Sequence, residues 1–135
     1  MPALPNRGRY HDLDAILEDV RGRYFPDGAA IEIRWGRWSD CTRTRSMRFG
    51  VYLPAAQLIR IHPALDQAFV PRFFVEFIIY HELLHHVVPP ICANGRYQIH
   101  PPAFRQRERQ FPAYAQAMAW RKRSLPRLLR SNRPR

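Results

Sequence analysis

Lysine is nearly missing from this chain: Lys122 is the only one, and arginine supplies the rest of the 22 basic residues. Acidic residues number only 11, so the net charge is +11. Cysteine is confined to Cys41 and Cys92. Two are too few for a disulfide-stapled scaffold, and free thiols fit a reducing, cytoplasmic setting. No apolar run reaches the roughly 20 residues of a membrane-spanning helix. The longest, Phe73 to Tyr80, is interrupted by Glu76. The opening MPALPNRGRY has no hydrophobic signal region, so neither export nor membrane association is expected. No internal repeat is found, which excludes a solenoid. What remains is a chain of 135 residues, 46% hydrophobic, enough to bury the core of a single domain.

Local patterns divide that domain. Asp12 can cap a helix from Leu13 to about Tyr24, with Leu13, Ile16, Leu17 and Val20 on one face, and Pro26-Asp27-Gly28 closes it. Ile31 to Trp35 alternates as a strand; Met47 to Leu53 and Gln57 to Ile61 follow as further strands around Pro54-Ala55. Ser39 to Ser46 is a polar, Arg-rich connection. Val70 to Val88 is apolar on every side of a helix projection, as a buried helix would be. Pro71 suits its first turn and Pro89-Pro90 end it. Pro89 to Tyr97 is rich in turn formers and reads as a loop. Pro102 to Gln110 and Pro112 to Arg123 form one broken helix or two consecutive ones, since Pro112 does not fit a helix interior.

The recognisable chemistry lies in the buried helix, where residues 81 to 85 spell HExxH. Residues four apart share a helix face, so His81 and His85 can reach one small cation. Glu82 is displaced by about 100° around the axis, where its carboxylate can act as a base without being a ligand. Burying these groups without partners would cost roughly 1 to 3 kcal/mol each, a cost that a bound cation offsets. Protein zinc of the hydrolytic kind takes three protein ligands. His100, placed by the loop at the mouth of the next helix, is the candidate third. Glu108 could complete a His-His-Glu set instead, although Arg105, Arg107 and Arg109 around it suggest a solvated ion-pair face. Cys92, a lone cysteine in an apolar loop, reads as a small core residue, His86 as a surface or supporting histidine, and nothing marks His11 or His62 as ligands.

This arrangement resembles the SprT-like zincins and the related YgjP-like metal hydrolases. The matching residues are His81, Glu82, His85, His100 and Phe104, with Arg34-Trp35-Gly36 and residues 58 to 63 similar to the strands before the active-site helix. Phe111 to Tyr114 through Trp120 is similar to the YgjP-like C-terminal helix. The resemblance covers most of residues 30 to 124. It departs at Ala103, where an acidic residue is common, in the run WGRWSDC, and in having no zinc ribbon after the domain. It implies an α+β, zincin-like minimal domain over residues 1 to 124: an N-terminal helix, an antiparallel sheet of about three strands, the buried HExxH helix and C-terminal helices. A basic tail, 125 to 135, follows.

Three function classes stay open: a zinc metallopeptidase acting on polypeptide, including nucleic-acid-associated protein; a metal hydrolase of another substrate such as RNA; and a non-catalytic zinc protein that binds nucleic acid. An intact Glu82 argues against the last, since a structural site has no use for a base. Tyr97, Arg96 and Arg105 are candidates to stabilise an oxyanion. From Arg105 onward only Glu108 opposes the cationic residues, a balance that attracts phosphate backbones. A solvated helix face explains the same charge. Phe111, Tyr114 and Met118 recur at core spacing rather than as base-stacking platforms. A monomer is expected.

Overall fold

A computed structural model describes residues 6–26, 30–38 and 47–131. Asp27 and Gly28 of the expected turn, the Ser39 to Ser46 connection with Cys41, and Arg133 and Arg135 lie outside the described residues.

The first helix, α1, spans Leu13–Tyr24, and Asp12 caps it by accepting the Ala15 amide. Leu13, Ile16, Leu17 and Val20 are its buried face. Three short strands follow: β1 (Glu32–Trp35), β2 (Gly50–Leu53) and β3 (Leu58–Ile61). Their order is β1-β3-β2, with β1 parallel to β3 and β2 antiparallel to it. The sheet is therefore mixed, not the antiparallel sheet expected. The chain between β1 and β2 is long enough to let β3, the most buried strand, take the centre, where both its neighbours shield it. Among the described strands, β2 is left at an edge.

Helix α2, Arg72–Val87, runs through the core, with Phe74, Val75, Ile79 and Leu84 fully buried. Pro71 stands just before it as the cap residue, and the Val88 amide closes its end on the Leu84 carbonyl. The expected loop beyond is a hairpin of β4 (Ile91–Ala93) and β5 (Arg96–Gln98). Asn94 and Gly95 form its turn at φ +53° and +72°, the left-handed pair that a two-residue hairpin demands.

Helix α3 spans Pro102–Glu108 and α4 spans Tyr114–Ser131, so Pro112 falls between two helices. The Tyr80 hydroxyl donates to the Arg107 carbonyl at 2.7 Å and ties α3 to α2. Helix α4 crosses the expected boundary at 124: Leu128 is fully buried and the Arg127 guanidinium sits 3.8 Å from the centre of the Phe69 ring. Residues 125 to 131 are thus part of a packed helix, held by an apolar anchor that arginine-rich composition conceals. The described chain is α+β, with four α-helices and sheets of three and two strands. No described helix is long and apolar enough to cross a membrane.

Candidate metal centre

The Nε2 atoms of His81 and His85 lie 3.2 Å apart, and those of His85 and His100 3.3 Å apart. Four-coordinate zinc with Zn–N bonds of about 2.0 to 2.1 Å would set its nitrogen ligands roughly 3.3 to 3.4 Å from one another. The three imidazoles therefore lie close enough to hold one metal ion, and the spacing fits a tetrahedral site. Helix α2 supplies two of them by its i, i+4 spacing. The third is returned by the β4–β5 hairpin to the mouth of α3, as its position before Pro101-Pro102 suggested.

Phe104 fixes the cluster from beneath. Its ring centre is 5.0 Å from that of His81, 4.7 Å from His85 and 4.8 Å from His100, and the residue is 1% exposed. One aromatic side chain thus packs on all three imidazoles.

Glu108 is the main correction at the site. Far from a solvated ion-pair face, its carboxylate is hydrogen-bonded to His81 Nδ1, and its side chain is only 14% exposed. Burial alone would raise its pKa, but the His81 hydrogen bond and the neighbouring imidazoles outweigh that and hold it below the usual range. An ionised carboxylate can only accept, so His81 Nδ1 carries the proton. Its Nε2 then presents a lone pair to the convergence point, the tautomer a metal ligand needs. Glu108 is therefore placed to orient His81 and is not one of the three converging ligands. A signal was available: Glu108 lies four residues after Phe104, on the same face of α3.

Burial lowers the His85 pKa to about 4, helped by the charge repulsion of His81 and His100. His100 is lowered by burial and by the charges of His81 and Arg105. At neutral pH these two rings are uncharged and available as ligands. Glu82 behaves oppositely: it is 4% exposed, and burial pushes its carboxyl up to about 7 against the opposing pull of His81 and Arg48.

These groups open on a cleft of 340 Å³, whose opposite wall carries Met47 to Gly50 from the approach to β2, with Met118 and Arg121 from α4. Gly50 allows that approach: a Cβ there would lie 2.9 Å from Ile78 Cγ2 and 3.1 Å from Glu82 Oε2. Farther along, Tyr52 Oη hydrogen-bonds His86 Nδ1 at 2.7 Å, joining β2 to the end of α2. His86 thus points away from the ligand cluster. His11 donates from Nε2 to the Val70 carbonyl and His62 accepts the Ala64 amide through Nδ1, both in structural roles. Cys92 is not the core residue expected: it is an exposed free thiol, because its segment forms a hairpin strand at the surface. None of Arg96, Tyr97 and Arg105 lines the cleft; among the described residues the cations that do are Arg48 and Arg121.

Comparison of the chain with protein-family models, with curated proteins and with solved structures finds no match.

Proposed function

We propose that this protein is a zinc-dependent hydrolase of the HExxH type, with a zincin-like arrangement, that cleaves polypeptide. The observation that carries the proposal is the convergence of three imidazole nitrogens at tetrahedral spacing beside a buried carboxyl that is not among them. A purely structural site has no use for that carboxyl. The resemblance of residues 81 to 104 to SprT-like zincins points the same way.

In this reading His81, His85 and His100 hold the metal. When bound, it supplies Lewis-acid polarisation of the substrate carbonyl and makes water more acidic. Glu82 takes the proton of the attacking water and returns it to the leaving nitrogen, a task suited to a carboxyl whose pKa lies near neutrality. Glu108 keeps His81 in its ligand tautomer.

Polypeptide is favoured as substrate by β2, which passes the cleft and pairs with a described strand on one edge only. Its other edge can accept an extended chain through main-chain hydrogen bonds. The test is metal analysis of the purified protein with hydrolysis of an unfolded protein, with and without chelator. One zinc per chain and chelator-sensitive cleavage are expected; hydrolysis of single-stranded RNA alone would favour the other substrate class.

One observation supports a nucleic-acid partner as well. Helix α4 exposes Arg121, Lys122, Arg123 and Arg130, a cationic helix in a chain of net charge +11.

A further inference from the structure

We infer that Arg48 and Arg121 form an anion-binding subsite on the outer wall of the metal cleft, selecting polypeptide substrates with an acidic side chain next to the cleaved bond. The inference rests on the peptidase proposal and deepens it.

The alternation of β2 places Arg48. Gly50 faces Ile78 and Glu82, and Tyr52 faces His86. Residues two apart share a face of a strand, and the pairing extends one residue ahead of β2, where the His62 amide bonds the Phe49 carbonyl. Arg48 continues that face by one step toward the cleft. Its charge accordingly acts on both Glu82 and His85. Arg121 comes from the other side: its guanidinium stacks over the Phe49 ring at 5.3 Å, which limits its freedom and holds it at the cleft.

The charge balance then selects the ligand. Among the described residues, the charged groups lining the cleft, apart from the imidazoles, are two arginines and two glutamates. The glutamates are engaged: Glu108 is bonded to His81, and Glu82 is turned inward and buried. Both arginines are solvent-exposed, and neither makes an ion pair with a described residue. With both glutamates ionised these four described charges cancel, so a bound divalent cation leaves them positive by two; a proton on Glu82 only adds to that excess. The guanidinium groups on the solvent side are the ones an arriving substrate meets. A carboxylate offers each of them a fork-shaped partner, and the field of the cleft steers an anion inward.

The test uses the full chain loaded with zinc and carrying Glu82→Gln, so that binding is read without turnover. Fluorescence anisotropy would compare a labelled peptide containing Glu and Asp with the same peptide containing Gln and Asn. The acidic peptide should bind about tenfold more tightly, the effect of one charge-assisted hydrogen bond. Arg48→Gln combined with Arg121→Gln should abolish the difference. Lys122→Gln with Arg130→Gln, which changes net charge equally away from the cleft, should retain it. Arg48→Gln alone should narrow it, which covers the case in which losing the Arg121 stack unfolds α4. Equal affinities for the two peptides, or equal losses in both double variants, would overturn the subsite. So would an oligonucleotide displacing the acidic peptide in an Arg48-dependent manner at lower concentration than the unlabelled peptide itself. In the parent chain, cleavage of acidic and neutral peptides at the same kcat/KM would remove the subsite and leave the peptidase standing. Acid-selective binding without any peptide cleavage would keep the subsite and remove the peptidase.

Discussion

Glu82 is the one charged side chain fully buried among the described residues, and its neighbour His85 differs from it in how burial acts. Desolvation disfavours the charged form of each group. For Glu82 that raises the pKa from 4.5 to about 7, and for His85 it lowers the pKa from 6.5 to about 4. In metal-free protein the two therefore oppose each other. Between pH 4 and 6.5 the unfolded state binds more protons at His85, so stability rises with pH. Between pH 4.5 and 7 the folded state binds more at Glu82, so stability falls as pH rises. Removing the carboxyl leaves the His85 trend alone, reinforced by His100. With chelator present, the melting temperature of Glu82→Gln should climb more steeply from pH 4 to 6.5 than that of the parent and exceed it at pH 7.5. Matching pH profiles would mean that Glu82 is not desolvated. With zinc present the same variant should keep its metal while turnover falls on the order of a hundredfold to ten-thousandfold; undiminished hydrolysis would take Glu82 out of the mechanism. Glu108→Gln should weaken zinc about 10- to 100-fold without abolishing it, whereas His100→Ala should lose it. Competition with a chromogenic chelator ranks the variants, and the reverse order would make Glu108 the third ligand.

Elements whose determinants are local were legible in the sequence. The bounds of α1 follow from a capping Asp12 and four apolar residues at helical spacing, and α2 from an all-round apolar run ended by two prolines. HExxH on such a helix, with a histidine ahead of the next, was enough to find all three imidazoles that meet. Pairings that depend on distant segments were not legible: β3 inserts between β1 and β2, and Glu108 reaches His81 across two helices. The Asn94-Gly95 hairpin signal was present but submerged in a segment full of turn formers. Two substitutions test how the elements hold the centre. Gly50→Ala forces a methyl against Ile78 and Glu82, and β-branched Ile78 has little rotamer freedom in a helix with which to yield. The expected cost is about 1 to 3 kcal/mol of stability, with a lower kcat as Glu82 shifts. Phe104→Ala removes the ring beneath all three imidazoles and should cost about 3 to 5 kcal/mol together with zinc affinity. Denaturant unfolding and zinc titration would measure both, and a Phe104→Ala protein with parental zinc affinity would show that the ligands are positioned without it.

At the scale of the whole molecule, a net charge of +11 is spread unevenly in what it can do. Several arginines of the C-terminal region are already used in packing: Arg107 stacks on Phe25, Arg121 on Phe49 and Arg127 on Phe69. Because Leu128 is buried, deleting the end of α4 would unfold part of the domain and would not isolate a charge effect. Neutralising the exposed Lys122, Arg123 and Arg130 avoids that difficulty. If α4 meets a phosphate backbone, the parent should bind duplex DNA at low salt, and its logarithmic affinity should fall linearly with the logarithm of salt concentration. Replacing those three residues with Gln should flatten the slope by about 0.9 for each phosphate that is no longer neutralised. Zinc content and peptide cleavage should be unchanged, since the ligands and Glu82 lie on other elements. Failure of the parent to bind at low salt would identify α4 as a solvated face whose charge serves solubility. A slope unchanged by the three substitutions would instead move the DNA to the arginines around the cleft, where an acidic peptide and a phosphate backbone would compete for one site.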